Sequence, residues 1–130
     1  MAYEFSNYSV KVTLVAAADL SAKQYQFVKL DNNGKAAAIT AITDVPVGVL
    51  QNAPLADQEA EVLIVGGTKL VASEQITLPA FLSVSSAGKA DKIATTDTTQ
   101  YVVAQAVTAA GAADVVFTAV VNCANPTRAN

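Results

Sequence analysis

The chain has no histidine and no tryptophan, one cysteine (Cys123) and one arginine (Arg128). Each absence excludes something. Without histidine, serine–histidine and cysteine–histidine nucleophile pairs cannot be assembled. A zinc site would have to be built from one thiolate and carboxylates, against the usual ligand sets. An enzyme is therefore not expected, and neither is a metal or other cofactor. A lone cysteine forms no internal disulfide and identifies no redox compartment. Charged residues make up only 15% and the net charge is -3, against about 25% charged residues in ordinary soluble domains. With no basic cluster, the electrostatic footprint of a nucleic-acid binder is missing. The acids are dispersed, so there is no acidic tail. Apolar runs fall well short of the roughly 18 residues of a membrane span. Residues 1–7 are polar and aromatic, unlike the apolar core of a signal peptide. Neither nucleic acid nor membrane is an expected partner.

What is present is a β-framework. The 130 residues suit one domain, or two very small ones sharing a core. Hydrophobic residues reach 52%, with only four Phe and four Tyr and much of the rest alanine. Alanine fills little volume, so such a core is thin and gains from partner contacts. Residues 8–15, YSVKVTLV, alternate with period two, Val10, Val12 and Leu14 on one face. AAADLSAK reads as a connection. YQFVKL (25–30) reads as a strand, Asn33-Gly34 as a hairpin turn, and residues 36–40 as the return strand. PVGVL (46–50) begins with a strand-edge proline, and its Gly48 signals a bulge or close backbone approach. EVLIV (61–65) reads as a strand ended by Gly66-Gly67, and TKLVA (68–72) as a second short strand beyond that turn. The alanines at 102–113 permit a short helix as a minor alternative, which Thr108, Gly111 and the valines oppose.

The second half echoes the first. YQFVKLDNNGKA (25–36) and AFLSVSSAGKA (80–90) are both an aromatic-led strand, a small polar turn and Gly-Lys-Ala, with Gly34 and Gly88 54 positions apart. TLVAAADL (13–20) matches KLVASEQI (69–76). The run from Val47 matches the run from Val102, each with a strand, a loop, an acid (Glu59, Asp114) and another strand. The expected fold class is all-β, a small β-barrel or β-sandwich, with two similar strand-hairpin units at about 20–72 and 76–121. The expected organisation is an arm and first strand (1–15), a β domain (16–121) and a C-terminal tail (122–130).

Gly34-Lys35, Pro46-Val47-Gly48-Val49, the strand Ala60 to Val65 and its exit at Gly66 give a layout that resembles the capsid decoration, or cement, proteins of tailed bacteriophages. The second pass keeps Gly88-Lys89, but Tyr101-Val102-Val103-Ala104 lacks the glycine. The likeness covers roughly residues 20–121 and is one of composition and rhythm. It implies a β-barrel-like or β-sandwich protein on the exterior of the virion capsid, often a homotrimer, that binds the major capsid protein lattice and strengthens the shell. The alternative is a carbohydrate- or receptor-binding β-module of a virion or cell surface. Such modules expose several Trp or Tyr, whereas here only Tyr25 and Tyr101 lie outside the N-terminal arm.

In that arm Tyr3, Phe5 and Tyr8 are the candidate capsid or subunit contacts, through ring burial or strand addition to a partner's sheet. The arm can equally be the first strand of the domain. Asp57, Glu59 and Glu61 alternate, and in an extended strand they share a face about 6.5 Å apart. A glycosidase pair or calcium would use that spacing. A solvated rim accounts for it more simply, since no aromatic platform or EF-hand loop accompanies it. Cys123 reads as a small buried apolar residue. Gly66-Gly67-Thr68-Lys69 lacks phosphate-loop spacing and reads as a hairpin turn, as does Gly88-Lys89.

Overall fold

The computed structural model describes residues 9–129. It has eleven strands: β1 (Val10–Val15), β2 (Phe27–Leu30), β3 (Ala36–Ala38), β4 (Gly48–Leu50), β5 (Glu59–Val71), β6 (Phe81–Val84), β7 (Ala90–Lys92), β8 (Tyr101–Val102), β9 (Ala104–Ala106), β10 (Val116–Asn122) and β11 (Thr127–Arg128). The fold is all-β, as expected. Residues 102–113 carry strand β9 and turns rather than a helix. Nine strands form one curled, half-open sheet in the order β3-β2-β4-β5-β10-β9-β6-β7, with β1 also on β5. The β8–β11 pair stands apart.

β5 corrects the sequence reading. EVLIV and TKLVA are not two strands about a turn; they are one 13-residue strand running through Gly66-Gly67. Gly66 serves a close approach: it has φ 142, and a methyl group there would lie 2.9 Å from the Ser9 Cβ. The first half of β5 pairs with β1 and β4, and the second half pairs with β10. One strand thus ends one unit and opens the next.

The pairing repeats unit by unit. Phe27 faces Val49 and Val49 faces Leu63, as Phe81 faces Gln105 and Gln105 faces Val120. Val47 donates its N–H to Val28 at 2.8 Å, and Val103 donates to Leu82 at 3.0 Å. Val47 is therefore matched by Val103, one residue beyond the register read from sequence. In each unit a single parallel bridge, Ala16 to Ala36 or Ala72 to Ala90, curls the hairpin back to the entering strand. Five strand segments then surround a small core. In the first unit this core holds Ala16, Leu20, Val28, Ala36, Leu50, Ala60 and Val62. The equivalent positions of the second, Ala72, Ile76, Leu82, Ala90, Ala106, Phe117 and Ala119, all lie in the larger core cluster. Alanine stands at both ends of each bridge, and all four are fully buried.

The Gly-Lys-Ala signature now has a mechanism. Gly34 and Gly88 take φ 75 and φ 87 at their hairpin turns, where a side chain is strained. Asp31 Oδ1 accepts the Lys35 N–H at 2.8 Å, and Ser85 Oγ accepts the Lys89 N–H at 3.1 Å, bracing the turns alike. Lys35 pairs with Asp57 and Lys89 with Asp114. Both aspartates are left-handed, at φ 64 and φ 67, and both donate their N–H to the bridge alanine, Ala16 or Ala72. Asp57, not Glu59, is the counterpart of Asp114.

Candidate functional site

The three alternating acids do not converge. Asp57 sits in a turn and reaches Lys35 at 3.3 Å, Glu59 starts β5, and Glu61 reaches Lys11 on β1 at 3.3 Å. Each paired acid has its own lysine, so the expected rim of solvated charge is what stands there. Among the described residues no group of three or more His, Cys, Asp or Glu could hold a metal ion.

Cys123 is buried, and burial pushes its thiol up to about 12. A thiol held protonated is a poor nucleophile. Its N–H donates to the Ile64 carbonyl at 2.9 Å, which carries the β10–β5 ladder one residue further. Tyr3, Phe5 and Tyr8 lie outside the described residues. What is described is their root: β1 leaves from beside the middle of β5, with Val10 opposite Val65.

A shallow groove of about 310 Å³ is lined by Tyr25, Gln51, Gly67, Thr68, Lys69 and Thr118. Tyr25 is left-handed at φ 62, a rare conformation for an aromatic residue. It is held by its N–H to the Leu50 carbonyl (2.7 Å) and by its carbonyl, which accepts the Val71 N–H (3.0 Å). Gln51 Nε2 donates to Thr68 Oγ1 at 3.0 Å. Thr68 and Lys69, read from sequence as the start of a short strand just after a glycine turn, line this groove. Lys69 Nζ lies 5.6 Å from the Tyr25 ring centroid, and the Arg128 guanidinium 5.3 Å from that of Tyr101. Each tyrosine outside the arm therefore has a cation over one ring face, which takes that face away from a stacking sugar.

A second groove, about 300 Å³, lies among Phe81, Val103, Gln105, Val120 and Asn122. Phe81 and Val120 stand on β6 and β10 with their side chains in solvent. Sequence reasoning missed this face. The only available signal was that Phe81 repeats Phe27, which predicts the same burial for both.

No protein-family model matches the sequence, and no curated protein matches it. The structure is similar to the head fiber gp8.5 N base of bacteriophage phi29, at 16% identity and a TM-score of 0.65, covering 89% of this chain and 96% of that one. At that identity the likeness is one of fold: this chain and the fiber base share nearly their whole length as one all-β architecture.

Proposed function

We propose that this chain is a structural module of a bacteriophage virion, seated on the outside of the capsid as the base of a head appendage. The observation that carries this reading is the whole-length match to a head-fiber base. It agrees in class with the decoration-protein resemblance of the sequence and moves the role from shell cement toward appendage. The chemistry fits: no histidine is available, the thiol is buried, and the described acids are dispersed or paired. Function therefore resides in surfaces. The major capsid protein lattice is the partner, and Tyr3, Phe5 and Tyr8 in the arm are the proposed contact to it.

Two finer roles separate by experiment. A cement binds the assembled shell and not its dissociated subunits, so it raises shell stability by mass action. An appendage base that grips a single capsid subunit binds the assembled and dissociated forms alike, so it leaves shell stability unchanged, and it presents a surface outward, as in the receptor- or carbohydrate-binding alternative. Co-sedimentation with purified heads, followed by a thermal melt of decorated and bare heads, distinguishes them. Binding with unchanged melting supports the appendage base, and binding with raised melting supports cement. Failure to bind any head refutes both.

A further inference from the structure

Equivalent faces of the two units meet opposite fates. In the first unit Phe27, Ile39, Val49 and Leu63 point outward from their own small core, yet Phe27 is 1% and Leu63 2% exposed. They are buried in one cluster with residues of the second unit, Val84 and Val103 among them. The tip of the second hairpin seals the contact. Gly88 accepts the Phe27 N–H at 2.8 Å, and a methyl group on it would lie 2.9 Å from the Phe27 carbonyl oxygen and 3.5 Å from Ile39.

In the second unit the same four positions are Phe81, Ile93, Gln105 and Val120, three of them apolar. Phe81 is 56% exposed and Val120 46%, and they flank the 300 Å³ groove. Among the described residues the reciprocal surface is also unused. Val84, beside the second hairpin turn, is fully buried, whereas its counterpart Leu30 is 48% exposed. A methyl group at Gly34, the counterpart of Gly88, would meet nothing within 4 Å among the described residues. Among the described residues the chain thus carries one complete internal contact and one further copy of each of its two sides, the Phe81 side bordered by Asn125 and Thr127.

We infer that the Phe81–Val120 face is the seat of a second copy of this chain, which docks its Leu30–Gly34 hairpin there as the Val84–Gly88 hairpin docks on Phe27 within one copy. The occupant is specified by the internal interface, which already shows what fits against a Phe, an Ile and a neighbouring apolar strand residue. In the docked pair the Gly34 carbonyl accepts the Phe81 N–H. The two faces differ, so the contact is heterologous: copies join head to tail and close into a ring if the rotation permits. Exposed apolar patches of this kind mark interaction sites.

The test needs only free full-length protein, so it is read independently of head binding. Light scattering at about 100 μM, where a micromolar contact is filled, should give a mass that is a multiple of 13.3 kDa. Phe81→Asp and Leu30→Asp, on opposite faces and both solvent-exposed, should each return the protein to monomer with an unchanged circular dichroism spectrum. Val120→Lys and Gly34→Ala repeat the test on each face should either variant fold poorly. A monomeric wild-type protein would overturn the inference. So would an assembly that survives the variants of either face, because a head-to-tail contact requires both.

Discussion

The Gly88 carbonyl accepts the Phe27 N–H at 2.8 Å and so fastens the second hairpin to the first unit. No side chain fits there: a methyl group on Gly88 would sit 2.9 Å from the Phe27 carbonyl oxygen, at φ 87. Gly88→Ala should therefore combine a strained backbone with a displaced interface and cost about 2–3 kcal/mol. Gly34→Ala has the strain without the collision and should cost about 1 kcal/mol in the free monomer. Urea denaturation of both variants, under conditions that keep them monomeric, measures the difference. Equal losses would contradict the assignment of Gly88 as the fastening.

Gly48 makes a still closer approach within the first unit. A methyl group on it would collide with the Leu63 carbonyl oxygen, where β4 meets β5. Its counterpart, Ala104, carries a methyl group at the matching place beside β10. Gly48→Ala should destabilise by about 1–3 kcal/mol, since the obstacle is backbone. Replacing Ala104 by glycine should cost less than about 1 kcal/mol. Thermal unfolding of the two variants checks the order.

Asp44 gives the fold its clearest acid-sensitive group. The Lys29 ammonium at 2.8 Å, with the N–H groups of Thr40 and Ala41, holds its carboxyl at about 2, below the usual 3.8. A folded-state value below the unfolded one contributes stability above about 3.8 that is lost as pH falls toward 2. With solvent screening the contribution is about 1 kcal/mol. Asp44→Asn should unfold more easily than wild type at pH 6 and converge with it near pH 2. Parallel stability–pH curves would show that the carboxylate contributes nothing.

Cys123, buried and pushed up to about 12, should resist alkylation in the folded protein. At pH 8 its reaction with iodoacetamide should be at least about 100-fold slower than in urea, because the thiolate is the reacting form. Rapid native-state labelling would show the C-terminal segment opening readily.

Local chemistry made the first layer of this fold legible. The alternation of Val10, Val12 and Leu14, the Asn33-Gly34 turn and the Gly-Lys-Ala recurrence each follow from backbone preference or period-two burial, which neighbouring residues determine. Gly66-Gly67 misled because glycine also serves close approach inside a strand, and only the position of Ser9 distinguishes that from a turn. Asp57 and Asp114 were hidden for a related reason: their left-handed backbone and lysine partners, 22 and 25 residues away, are properties of the closed unit. The Phe27 and Phe81 pair goes furthest. Their local sequences are alike and their burial is opposite, since burial here depends on which unit has a neighbour.

The central proposal, a virion module seated on a capsid, is tested most directly by co-sedimenting the full-length chain with purified phage heads, beside a form lacking residues 1–8. The full chain should pellet with heads in saturable, stoichiometric amounts, and loss of the arm with Tyr3, Phe5 and Tyr8 should sharply lower occupancy while circular dichroism stays β-type. Equal occupancy of both forms would move the contact off the arm. A full-length chain that stays in the supernatant at every head concentration would contradict the account.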